Sequence, residues 1–260
     1  VPQVDSAQLS MSLPTDRPPP VAPRAGSGSV VPVADLDLAV ITEQLDRNGF
    51  ALTPPLLTPE ECAEISGMFD ADGVFRSTVV MARHQFGEGS YRYFDYPLPP
   101  VVQRLRAALY PPLARVANAW SDKLGEPRFP EELSALHARC AAAGQHRATP
   151  LVLRYEAGGY NCLHQDLYGD VWFPLQVAFM LSEPDRDFTG GESVFVEQRP
   201  RAQSRPMVAR PGRGQGLIFA VNNRPAPSAR GYKRVTMRHG VSEVHSGMRY
   251  TLGIIFHDAK

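Results

Sequence analysis

From Leu151 onward the chain breaks into short runs rich in β-branched and aromatic residues: "LVLRYEA", "WFPLQVAFMLS", "ESVFVEQ", "MVAR", "GLIFAV", "YKRVTMRH" and "RYTLGIIFH". Clusters of Gly, Pro and Asn separate them, which is the punctuation of strands rather than helices. No segment between these runs carries a helical period. So many consecutive strands without intervening helices predict an antiparallel sandwich or barrel.

The first half reads differently. Residues 1–30, with "RPPPVAPRAGSGS", lack hydrophobic periodicity and are expected to be a disordered tail. "DLDLAVITEQLDRNGF" then places Leu38, Ile41 and Leu45 at helical spacing and closes on Asn48-Gly49. "LTPEECAEISGMF" offers Thr58 as N-cap, Pro59 at the first helical position and Glu61 three residues after the cap. Residues 75–95 read as a strand, a Gly-rich turn and an aromatic strand. "VVQRLRAALYPPLARVANAWSDKL" is expected to form two helices broken at Pro111-Pro112. "PEELSALHARCAAAG" is a further helix ending at Gly144. The expected organisation is a tail (1–30), a helical region with a few strands (31–149) and a β domain (150–260).

Cys62, Cys140 and Cys162 are odd in number and widely spaced, which excludes a disulfide framework and a thiolate zinc site. That usage fits a reducing cytoplasm, and no long apolar run suggests a membrane segment.

"YNCLHQDLYGD" carries the chemistry. On a strand, His164 and Asp166 point the same way and Gln165 the other, with Cys162 sharing the His164 face as packing. An imidazole and a carboxylate aimed at one point supply two ligands of a 2-His-1-carboxylate iron site. The third must come from a later strand, where "RHGVSEVHSGMRY" offers His239 and His245. Arg249 follows, sharing a strand face with Thr251, and suits a bidentate pair with a carboxylate.

Three ordered blocks, "LRYEAGGYNCLHQD", "FTGGESVFV" and "RHGVSEVHSGMRY", together resemble the 2-oxoglutarate- and Fe(II)-dependent oxygenases in their prolyl-hydroxylase-like form. The resemblance implies an α+β chain with a double-stranded β-helix (jelly-roll) core and a helical N-terminal buttress. Its cofactors would be Fe(II), 2-oxoglutarate as cosubstrate, and O2. In that family the distal histidine precedes a basic anchor at about the separation of His239 and Arg249, which is ten residues. The implied iron ligands and catalytic residues are therefore His164, Asp166 and His239. Arg249 would anchor 2-oxoglutarate, with Thr251 and Tyr155 in support. "YEAGGYNCLHQDLYG" further resembles a bacterial subfamily predicted to modify nucleic acid and likened to the AlkB-type oxidative demethylases. AlkB proteins, however, separate the distal histidine and arginine more widely.

Net charge is zero, but Arg199 to Ser242 holds ten Lys/Arg and no Asp/Glu. A basic stripe beside an oxygenase pocket suits phosphate contacts. Asn222, Arg224 and Arg234 are candidates to touch nucleic acid, and Tyr160, Tyr168 and Trp172 to stack on an extruded base. The expected activity is oxidative demethylation of alkylated bases in DNA, as in alkylation repair. A protein (prolyl-type) hydroxylase or a small-molecule hydroxylase would use the same iron core.

Overall fold

The computed structural model of the protein describes residues 30–260 apart from 168 and 200, so the tail expected over 1–30 lies, but for residue 30, outside the described residues. Helix α1 (Leu38–Asn48) starts where the Asp37 carboxylate accepts the Ala39 and Val40 N–H groups. It stops at Gly49, whose φ of +77° suits only a residue without Cβ and turns the chain directly into β1 (Phe50–Pro55). Helix α2 (Pro59–Gly67) carries the expected reciprocal cap: Thr58 Oγ1 accepts from Glu61 N, and the Glu61 carboxylate accepts from Thr58 N. Strands β2 (Phe75–Val80), β3 (Gly87–Glu88) and β4 (Ser90–Phe94) follow.

The expected break at Pro111-Pro112 does not occur. Helix α3 runs unbroken over Pro100–Leu124. A proline inside a helix costs about 3 kcal/mol. Against that, Val102, Leu105, Leu109 and Tyr110 before the prolines and Leu113, Val116 and Trp120 after them are all buried in one core. At about 1.5–3 kcal/mol per buried large apolar side chain, continuity of that face outweighs the lost hydrogen bonds.

After α4 (Leu133–Ala142) the chain is strand throughout: β5 (Leu151–Glu156), β6 (Tyr160–His164), β7 (Leu175–Met180), β8 (Phe188–Gly190), β9 (Ser193–Gln198), β10 (Arg205–Ala209), β11 (Gln215–Ala220), β12 (Asn223–Ser228), β13 (Gly231–Val241) and β14 (Val244–Ile254). Among the described residues these strands all pair antiparallel. The larger sheet has the order β1-β11-β7-β14-β5-β4-β2, with β8 also on β14. The smaller is β10-β9-β13-β6-β3, with β12 also on β13. This is the jelly roll, and β1, β2 and β4 from the first half extend its larger sheet.

Strand β12, "NRPAPS", is absent from the sequence expectation because Pro225 and Pro227 cannot donate to a ladder. It forms because it pairs with β13 alone, so the missing donors fall on an edge where no partner needs them.

Buried Arg106 of α3 ties the helical layer to the chain end. It donates to the Ile255 and Phe256 carbonyls (3.0 and 2.9 Å) and pairs with Asp258 (2.7 Å). Nearby, His257 Nδ1 accepts the Phe173 N–H. Desolvation, then the Arg106 charge, pushes the His257 pKa down to about 4, although Asp166 and Asp258 oppose this. The folded state therefore refuses a proton that the unfolded chain accepts near pH 6.5. Stability should be complete above that pH and fall progressively between pH 6.5 and 4. Thermal melts across this window should show a shallower acid decline in His257→Asn than in wild type; identical slopes would remove His257 as the cause.

Candidate active site

The two expected histidines meet across the smaller sheet. His239 on β13 is the direct register partner of His164 on β6, and their ring centroids are 4.3 Å apart. Asp166 lies between them, with Oδ1 at 3.5 Å from His164 Nε2 and Oδ2 at 3.2 Å from His239 Nε2. The three donor atoms all lie within 4.8 Å of one another. Two imidazoles and a carboxylate with that convergence fit one divalent ion bound on one side only. His245 is exposed on β14 and takes no part in the cluster.

Local irregularity makes this convergence possible. The register of β6 against β13 slips between His239 and Val241, with Val241 opposite Asn161. Four residues of β6, Asn161 to His164, thus face three of β13, His239 to Val241, a bulge that re-aims side chains. Asn161 and His164 both line the cavity, although strict alternation would separate them. Cys162 is correspondingly exposed, not packed on the His164 face as expected. Its carbonyl accepts the His164 Nδ1–H (2.8 Å), leaving Nε2 turned toward Asp166. Past the strand end, Gln165 straps the loop down by donating to Asn222 Oδ1 (2.6 Å) and the Met237 carbonyl (2.9 Å).

Electrostatics put these ligands in the form a cation needs. Desolvation raises the Asp166 pKa, but the hydrogen bond and charge of His239, then His164 and the Gln176 amide, bring it down to about 2. His164 is lowered, first by desolvation and then by the His239 charge. The carboxylate is ionised and that imidazole is disposed to stay neutral.

Arg249 lies in the wall of the same cavity, 2% exposed. Its Nη1 donates to Thr251 Oγ1 (3.0 Å) and its Nη2 to Ser193 Oγ (3.5 Å), while Nε is buried without a partner. The guanidinium stands 5.5 Å over the ring of fully buried Tyr155. Desolvation, the largest influence, lowers the Arg249 pKa. Among the described residues its hydrogen-bond partners are hydroxyls, not carboxylates. The Glu192 charge acts on it only at a distance, and a buried cation with no ion-pair partner is costly, so the pocket can take an incoming anion. Burial drives the Tyr155 hydroxyl up to about 12; it stays protonated, accepts from Asn161 Nδ2 (3.3 Å) and keeps its own proton to donate. The Gly190-Gly191 turn leaves room for the arginine: a Cβ on Gly191 would stand 2.9 Å from Arg249 Cδ.

The sequence reading missed Ser193, Asn161 and Gln176 as cavity residues. Ser193 is the first residue of β9, two after the Gly-Gly turn, and strand parity is the only signal that aims it inward.

The expected substrate contacts fare unevenly. Arg224 is buried rather than presented to a partner: it is 2% exposed, ion-paired with buried Glu197, and donates to the Asp46 carbonyl (2.7 Å). Asn222 holds Gln165. Arg234 is bound to Glu126 (2.7 Å). Trp172 packs against the main core, Tyr160 is exposed outside the cavity wall, and Tyr168 lies outside the described residues.

Half of the basic stretch is neutralised by acids distant in sequence or at its edge. Arg199 and Arg224 pair with Glu197, Arg210 with Asp185, Arg213 with Glu183, and Arg234 with Glu126. A linear charge count cannot see partners that folding supplies. Among the described residues no helix is long and apolar enough to cross a membrane.

Known proteins share this fold. A Pseudomonas putida prolyl-4-hydroxylase superposes with a TM-score of 0.52 at 15% identity, covering 86% of this chain and 99% of that one. A Trichoplax adhaerens prolyl hydroxylase, solved with a hypoxia-inducible-factor peptide fragment, gives 0.56 at 18%, covering 85% and 89%. A Burkholderia pseudomallei oxidoreductase of the 2OG-Fe(II) oxygenase family gives 0.50 at 18%, covering 91% and 95%. At these identities the likeness is one of fold. Two uncharacterized proteins of Mycobacterium tuberculosis, Rv2227 and MT2286, are each 49% identical over 167 residues, 64% of this chain and 72% of theirs. Residues 89–259 match the model of a family described as an oxygenase catalysing oxidative methylation of damaged DNA. With more than half its length inside that match, the chain belongs to this oxygenase family, and it carries a convergent His-Asp-His cluster on the fold of the 2-oxoglutarate- and Fe(II)-dependent oxygenases.

Proposed function

We propose that this chain demethylates alkylated bases in DNA oxidatively, with His164, Asp166 and His239 as the Fe(II) ligands and Arg249 as the 2-oxoglutarate anchor. The observation that carries the site assignment is the buried guanidinium of Arg249, ion-paired to no carboxylate among the described residues, in the cavity that also contains the convergent triad. A dicarboxylate that offers one end to the ion needs a cation for the other, and this chain holds one there in advance.

Fe(II) with 2-oxoglutarate and O2 supplies the oxidising power for hydroxylating a C–H bond; the protein supplies position and dryness. Arg249 and Thr251 grip the distal carboxylate, with Tyr155 and Ser193 as hydroxyl donors beside it. Leu217, Phe219, Val177 and Ala178 line the cavity with apolar surface that limits water around the reacting groups. Phe219 also packs its ring 4.6 Å from that of His239, fixing the imidazole. Hydroxylation of an N-methyl group gives N–CH2OH, which loses formaldehyde and returns N–H. Removal rather than addition of methyl groups is the reaction an oxygen-inserting site performs.

The nucleic-acid substrate is supported by the family description and by a stacking surface next to the site. Phe86 is exposed, stacked on His84 at 5.3 Å, and its carbonyl accepts the Cys162 N–H (2.8 Å). Exposed Leu163 and Leu167 flank the ligand strand. Such an apolar rim suits an unstacked base. Formaldehyde release, measured with succinate formation over N-methylated oligonucleotides, proline-containing peptides and free metabolites, should select the oligonucleotides. Succinate coupled to peptide hydroxylation alone would replace this reading with the protein-hydroxylase one.

A further inference from the structure

Gln176 sits on β7 opposite Phe219, 5% exposed, and lines the cavity that contains the triad. Its Nε2 is buried with no hydrogen-bond partner. A buried donor left unpaired forfeits its hydration without return, and such groups are rare enough to need a reason. Neighbouring Val177, Ala178, Leu217 and Phe219 offer side chains with no acceptor. The amide does reach toward Asp166, lowering that carboxyl's pKa as a weak hydrogen-bond donor while Nε2 stays short of full hydrogen-bond geometry.

In the ion-free geometry the two Asp166 oxygens are divided between His164 Nε2 and His239 Nε2. His164 already spends its ring proton at Nδ1 on the Cys162 carbonyl, so His239 Nε2 is the ring donor to Asp166, and it no longer carries that proton once it gives its lone pair to an ion. A carboxylate that offers one oxygen to the ion then has a second, desolvated oxygen short of a donor. We propose that Gln176 is a positioning residue, donating Nε2–H to the Asp166 oxygen not given to the ion and so holding the carboxylate to one-oxygen binding. The proposal rests on the ligand assignment above and adds a residue to it. Its consequence is functional: a carboxylate that swung to bind through both oxygens would occupy the position needed by O2.

The test is anaerobic titration of Co(II), a spectroscopic stand-in for Fe(II), into wild type, Gln176→Leu and Gln176→Glu. Loss of a group orienting a ligand typically costs about 10–100-fold in metal affinity, and that loss is expected in both variants, with an altered Co(II) visible spectrum. The affinity of the Co(II)-saturated protein for 2-oxoglutarate should stay within about threefold of wild type, because the amide does not touch the Arg249 end. The ion-free melting temperature of Gln176→Leu should hold or rise, since an orphan donor is removed. Unchanged Co(II) affinity in Gln176→Glu, which keeps shape but replaces the donor with an acceptor, would overturn the proposal. So would a fall in 2-oxoglutarate affinity alone, or a lower melting temperature with Co(II) affinity intact. Failure of wild type itself to bind Co(II) would instead remove the ligand assignment, and the proposal with it.

Discussion

Arg249→Met is expected to weaken 2-oxoglutarate binding by about 100-fold or more while leaving the metal affinity within about threefold of wild type. Two charge-assisted hydrogen bonds at about 1.5–3 kcal/mol each set the lower limit of that loss. The same substitution should not destabilise the ligand-free protein. Arg249 is buried against the Thr251 and Ser193 hydroxyls and the Tyr155 ring, with Nε unpartnered. Exchanging a buried cation with no ion-pair partner for an apolar side chain of similar reach is neutral or stabilising. Calorimetric titration of the cosubstrate together with thermal melts of the ion-free protein checks both halves. A variant that melts well below wild type and still binds 2-oxoglutarate would make Arg249 a structural residue. This pairing of gained stability with lost binding is the mark of a group retained for function.

His239→Ala is expected to abolish turnover and to weaken Fe(II) binding by at least about 1,000-fold, whereas His245→Ala should change neither. Removal of one of three ligands leaves a two-donor site, a larger loss than that from an orienting neighbour. The substitution also strips Asp166 of its main stabilising partner. Desolvation would then dominate, raising the Asp166 pKa from about 2. In wild type that depressed pKa contributes stability that is complete above the unfolded value of about 3.9 and lost as pH falls toward 2; the variant should lack this contribution. Metal titrations and acid melts of both alanine variants measure these effects. Full activity in His239→Ala with loss in His245→Ala would reverse the ligand choice.

Much of this site could be read from the sequence because its pieces follow strand parity and short spacing. His164 and Asp166 are two apart, Arg249 and Thr251 share a face, and the run of strands after Leu151 left little but an antiparallel β architecture. What escaped depends on contacts between residues far apart in the chain. The β6 bulge that turns Asn161 and His164 to one side is set by the pairing with β13. Helix α3 passes through Pro111-Pro112 because the core holds both halves of one face. Ser193 and Gln176 reach the cavity from β9 and β7, and no local motif marks either. The basic stretch misled for the same reason: Glu126, Glu183, Asp185 and Glu197 neutralise half of it only after folding.

Anaerobic addition of Fe(II) and 2-oxoglutarate, followed by visible absorption, tests the assignment most directly. The site described here predicts a metal-to-ligand charge-transfer band that saturates at one ion per chain. The band should vanish in His239→Ala and require far more 2-oxoglutarate in Arg249→Met. A wild-type protein that shows no such band, or one whose band survives both substitutions, would contradict it.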